Sequence, residues 1–183
     1  MSDPEPTPRE RLLAAVIDAI ERNGLGSRSL RDLAADAGTS HRMLIHHFGS
    51  REGLLIAIVS EVEARTRATL LDPARDATDL LDATWARVAD PSLWPFERLF
   101  FECYARGAQG EEPFDRLIPA LVDDWLVPYP TGRARDQARL GLAAVRGLLL
   151  DLVATEDRAG VDRALGELRA LLHVAGARTT DPA

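Results

Sequence analysis

Residues 28–54, RSLRDLAADAGTSHRMLIHHFGSREGL, constrain the fold of this chain more than any other stretch. Ser29 stands one residue before an apolar-periodic run and three before Asp32, the pattern of an N-cap with an acidic partner. Gly38 closes that run, Ser40 is placed to cap a second helix, and Ser50 a third. Two short helices joined by so tight a turn need a small residue where they cross and a turn residue tolerant of positive φ. Ala34 and Gly38 meet those demands. Leu30, Leu33, Ala37, Leu44 and Phe48 then face inward against a preceding helix. Ser40, His41, Arg42, Met43, Ile45 and His46 are left as the outward surface of the second helix.

Helical periodicity extends through most of the chain. Leu12, Leu13, Val16, Ile17 and Ile20 form one stripe, ended by Gly24 and Gly26. Leu54, Leu55, Ile58, Val59 and Val62 form another, running toward Leu71 and broken by Pro73. Further helices are expected at about 76–90, 92–107, 113–127, 133–154 and 161–175. Pro95 predicts a late helix start and Pro119 a kink. No alternating segment of useful length suggests a strand. The expected fold is all-α with about nine helices. A flexible arm over 1–8 leads into a three-helix head over 9–52, followed by a larger helical body over 53–183.

Charge separates head from body. The chain is acidic overall, at −7, and all its basic residues are arginine. Residues 22–51 nevertheless carry +3, and no acid occurs from Thr39 to Arg51. A basic island on an acidic body suits a focused contact with phosphates and excludes a chain that coats nucleic acid along its whole surface. A short outward helix behind a tight turn is the shape that enters the major groove of DNA.

The strings SLRDLAADAGTS and LIHHFGSREGLL, behind an amphipathic helix at the right distance, resemble the DNA-binding head of the TetR family of bacterial regulators. The resemblance covers residues 9–62, the first third of the chain. It implies a homodimer that binds an operator in double-stranded DNA and responds to a small-molecule effector. Thr39 and Ser40 match the start of the recognition helix, where backbone N–H groups and a hydroxyl can hold phosphate. His41, Arg42 and Met43 match positions aimed at base edges, and Arg42 can grip guanine bidentately. Arg31 matches a position that reaches a base or a phosphate, and His46 lies on the same outward surface. His47 and Arg51 match backbone-contacting positions, although His47 can equally sit at the edge of the core. Ile45 departs from the usual tyrosine; it either touches a thymine methyl or simply packs.

The body is less explicit. Aromatics amount to 5% of the chain yet gather between residues 85 and 129. Trp85, Trp94, Phe100, Phe101, Tyr104 and Trp125 are candidate lining for an apolar ligand cavity, with ordinary core as the alternative. Cys103, the only cysteine, excludes an internal disulfide and reads as a small core residue. The expected helix 133–154 is apolar around most of its circumference. Either it lies inside the body, or it forms a four-helix dimer interface with the last helix and their two counterparts. In the family, the last two helices make the dimer contact.

Neither a nucleophile–base pair nor a glycine-rich phosphate loop is evident, so an enzyme is not expected, and neither a cofactor nor a metal. His41, His46 and His47 lack a Cys or carboxylate to complete a metal site. No uncharged apolar run approaches the ~18 residues of a membrane span, and the N-terminus lacks the pattern of a signal peptide, so a cytoplasmic protein is expected. The competing reading is an all-helical small-molecule-binding protein or enzyme with a non-functional head.

Overall fold

The computed structural model describes residues 5–26, 28–70, 77–129 and 131–177. Among them are nine α-helices, one 3-10 turn and no strand. They are α1 (Pro8–Asn23), α2 (Leu30–Asp36), α3 (His41–Phe48), α4 (Arg51–Leu70), α5 (Ala77–Val88), α6 (Trp94–Ala108), α7 (Phe114–Leu126), α8 (Gly132–Thr155) and α9 (Arg158–Ala177). The described residues up to 64 and those of 95–121 form one compact unit, and the described residues of 65–94 and from 122 onward another.

Local chemistry sets the boundaries in the first unit. Thr7 caps α1 through a capping box with Glu10, and Pro8 fills the first helical position. Gly24 ends the helix at φ 71°, its N–H donating to the Ile20 carbonyl at 2.7 Å. Ser29 caps α2: its Oγ accepts from the Asp32 N–H at 3.2 Å, while its own N–H donates to Asp32 Oδ2 at 2.8 Å. The stripe of α1 supplies buried Leu13, Val16, Ile17 and Ile20, and Leu33, Leu44, Leu54 and Ile58 are buried in the same unit. α6 and α7 add Leu99, Phe100 and Phe114 to the buried residues of this unit.

Hydrogen bonds from the Ser29 side chain and backbone hold the Asp32 carboxyl below the usual carboxylate range. A depressed folded-state value stabilises above the ordinary carboxylate pKa, and that contribution disappears as pH falls through the lowered value. Ser29→Ala removes the N-cap of α2, a loss that ordinarily costs about 1 kcal/mol. It should also weaken the acid dependence of stability, with urea melts at a series of pH values as the check.

In the second unit, α5, α8 and α9 bury Leu81, Trp85, Val145, Leu149, Leu152, Val161 and Leu165. The Trp85 indole donates to Asp162 at 3.0 Å, and Arg169 pairs with Asp82. Arg135 donates to the carbonyls of Leu126 and Tyr129, both at 3.2 Å, satisfying groups at and just beyond the C-terminal end of α7.

Two helix starts are informative, the first as expected and the second not. α6 begins at Trp94 behind the 3-10 turn Pro91–Leu93, a late start that places Pro95 in its first turn, where a missing N–H costs nothing. α9 begins at Arg158 rather than 161. Glu156 takes the left-handed conformation at φ 59°, and Asp157 Oδ1 accepts from the Gly160 N–H at 2.8 Å, so the turn needs fewer residues than its polarity suggests. Pro119 lies inside an unbroken α7. Pro73 falls outside the described residues.

Candidate nucleic-acid interface

Ser40 opens α3 with an extended backbone, and its Oγ accepts from the Met43 N–H at 3.2 Å. The turn before it is tied by the Thr39 N–H to the Ala34 carbonyl at 2.8 Å, with Gly38 at φ 66°. Ala34 is buried at this crossing, where its small side chain lets the backbone of α2 come close to the turn.

Each sequence-derived candidate of the head can now be placed. Arg31 is exposed on α2; Ser40, His41, Arg42, Met43 and His46 are exposed at or along α3. An exposed methionine, at 42%, on so short a helix is an apolar contact left facing outward. Thr39, Ile45, His47 and Arg51 are half-buried. Leu44 and Phe48 anchor the opposite face, at 0% and 8% exposure. The helix therefore has one side locked into the core and one side of Ser, His, Arg and Met presented outward. The His46 and His47 rings meet edge to face at 5.0 Å, and His47 continues onto Phe48 at 6.5 Å, so His47 is packed as well as polar.

Charge on this face is available. Arg28 is engaged with Asp36. Arg31, Arg42 and Arg51, by contrast, make no ion pair among the described residues. Guanidinium groups outside an ion pair keep their N–H fork free for phosphate or base acceptors.

Two features of the first unit escaped sequence reasoning. Gly53 lies in the first turn of α4, where Ser50 Oγ accepts from its N–H at 3.0 Å. A Cβ at this position would stand 2.1 Å from the Phe48 carbonyl oxygen. The signal was present: glycine inside a helical pattern is costly and implies a reason in packing. Arg106 is the second feature. Its guanidinium lies 4.0 Å from the Phe114 ring centroid, pairs with Glu111, and stands 3.9 Å from both Glu52 and Glu102. It thereby ties α6 and the start of α7 to the first turn of α4.

The aromatic candidates of the body divide. Phe100 is buried on α6, with the rings of Phe101 and Tyr104 at 5.3 and 5.9 Å, and Tyr104 is exposed. Trp85, Trp94 and Trp125 belong to the second unit. Trp85 is core there, and Trp94 and Trp125 are half-buried. Cys103 is fully buried, and burial, reinforced by the Glu102 charge, pushes its thiol up to about 12. Among the described residues, no helix is long and apolar enough to cross a membrane.

Comparison with known proteins bears on this geometry. The family model for bacterial regulatory proteins of the tetR family matches residues 12–58, the head just described. The head over these residues is therefore similar to the DNA-binding part of tetR-family regulators. Curated relatives include the HTH-type transcriptional regulator BetI of Stenotrophomonas maltophilia, 34% identical over 39% of this chain and 40% of that protein. BetI of Agrobacterium fabrum is 27% identical over 84% of this chain and 66% of its own length. The chain thus spans less than half of the first relative and 66% of the second. The crystal structure of a transcriptional regulator from Rhodococcus sp. Rha1 superposes with a TM-score of 0.68 at 22% identity, covering 90% of this chain and 95% of the other. That likeness shows a shared all-α fold over most of the chain.

Proposed function

We propose that this chain is a DNA-binding transcriptional regulator of the TetR family, a repressor released from a near-palindromic operator by a small apolar or amphipathic ligand. The observation that carries this reading is the outward face of α3, acid-free and presenting Ser40, His41, Arg42, Met43 and His46 from a helix held by buried Leu44 and Phe48. Arg42 reads a base edge; Arg31, Thr39, His47 and Arg51 hold the backbone; Ile45, half-buried, mainly packs. The head over 9–52 binds DNA and the rest of the chain supplies ligand binding and dimerisation. The protein acts in the cytoplasm, where bacterial DNA lies, and as a regulator rather than an enzyme.

A homodimer through α8 and α9 places two copies of α3 about 34–36 Å apart, in successive major grooves. One stripe of α8 supports the pairing. Leu140, Ala143, Gly147, Leu150 and Ala154 recur at helical spacing and are all exposed in the single chain, Leu140 at 62% and Leu150 at 48%. Ligand binding at Phe100, Phe101 and Tyr104 would reach the head through the Arg106 contact with Glu52. Trp85, Trp94 and Trp125 are separate ligand-binding candidates within the second unit. A ligand that prefers another arrangement of the heads draws the population away from the DNA-competent form.

Titration of a fluorescent duplex at increasing salt tests the proposal. Several phosphate contacts require log K to fall steeply with log salt. A flat response from nanomolar to micromolar protein would refute it. Arg42→Ala should cost roughly 1–3 kcal/mol and relax base preference at one position, whereas Arg51→Ala should weaken every sequence alike. Selection of bound sites from random duplexes with each variant separates the two effects; equal loss of preference in both would show the assignment of roles to be wrong.

A further inference from the structure

Arg9 lies in the first turn of α1, outside the helix-turn-helix and outside the basic island recognised in the sequence. Its guanidinium carbon stands 4.9 Å from the centroid of the Phe48 ring. Phe48 is the last residue of α3, and Gly49, Ser50 and Arg51 follow it directly. The first turn of α1 therefore meets the C-terminal end of the recognition helix, next to the segment in which Arg51 begins α4.

The stacking geometry matters. A planar guanidinium placed over an aromatic ring spends its face on the ring and keeps its N–H edge free. Arg9 is exposed and makes no ion pair among the described residues. The neighbouring Glu10 does not capture it, because the Glu10 carboxylate turns back to accept from the Thr7 N–H at 2.7 Å. The result is an unneutralised, pre-positioned cation at the margin of the reading surface.

We propose that Arg9 is a phosphate-binding residue contributed by α1, its guanidinium levelled by Phe48 so that its N–H edge grips the DNA backbone beside the C-terminal end of α3. Arg9 thus adds a grip from a separate helix to the backbone contacts of Arg51, and the Phe48 ring both anchors α3 in the core and orients the cation. This inference rests on the DNA-binding reading.

The test is duplex titration of the full chain across a salt series, with wild type, Arg9→Ala, Arg9→Lys and Arg22→Ala. Arg22 is the control: it has the same charge on the same helix, about 20 Å away along the axis. Arg9→Ala should weaken selected and scrambled duplexes by a similar factor, roughly five- to fifteen-fold, and lower the salt slope by about 0.9 per subunit. Arg9→Lys should recover the slope and only part of the affinity, because a point charge lacks the planar fork. Arg22→Ala should leave the slope unchanged. If wild type binds with a steep slope that Arg9→Ala preserves, or if Arg22→Ala lowers it equally, the assignment of Arg9 is overturned while DNA binding stands. A flat wild-type response removes the functional reading itself. Circular dichroism melts of each variant separate a lost contact from a lost fold: a head that unfolds in Arg9→Ala, together with an Arg9→Lys slope no higher than its neutral counterpart, would reduce Arg9 to a packing role.

Discussion

Gly53→Ala should be among the most damaging single substitutions in the head, at roughly 3 kcal/mol or more. The methyl would stand 2.1 Å from the Phe48 carbonyl oxygen and 3.3 Å from its carbonyl carbon. Both are backbone atoms, so no rotamer change relieves the clash. Either α4 or the end of α3 has to move, and moving α3 shifts every side chain proposed to read DNA. Chemical denaturation should show the loss, and operator binding should fall further than stability alone explains. Gly141→Ala provides the contrast. Gly141 lies within α8 with nothing within 4 Å of the added carbon, so the same substitution should stabilise by about 0.5–1 kcal/mol through helix propensity. Similar behaviour of the two variants would contradict this account of the α3–α4 junction.

Leu140→Glu combined with Leu150→Glu should convert the proposed dimer to monomer at micromolar concentration. Both leucines are substantially exposed in the single chain, so its folding should tolerate the change. Burying a leucine against a partner contributes roughly 1.5–3 kcal/mol, and two-fold symmetry counts each twice. The substitution also places carboxylates where the pairing needs a dry face. Sedimentation should report the monomer, and affinity for a palindromic duplex should fall about 100-fold or more, because two half-sites no longer act together. A variant that stays dimeric would move the interface off this stripe of α8.

The sequence was most informative where local chemistry decides structure. The caps Ser29, Ser40 and Ser50 and the terminators Gly24 and Gly38 are local signals, and α1 to α3 follow them closely. The start of α9 was less legible, because Asp157 caps it from inside what looked like a polar turn. The exposed side of α3 followed from its period, since Leu44 and Phe48 could only be the buried side. What the sequence hid depends on approaches between separate helices. Neither Arg9 over Phe48 nor Arg106 between Glu52 and Glu111 has a spacing rule that announces it. The aromatic candidates illustrate the same limit. Composition gathered six residues into one list, while packing assigned Phe100, Phe101 and Tyr104 to one compact unit and the three tryptophans to the other.

The sealed thiol of Cys103 gives this chain a built-in chemical clock. With no exposed surface and a proton held to about pH 12, it can react with a disulfide reagent only when the packing around α6 breathes open. Since α6 beyond Trp94 belongs to the same compact unit as α1, α2 and α3, the labelling rate of an unmodified sample counts openings of the unit that carries α3.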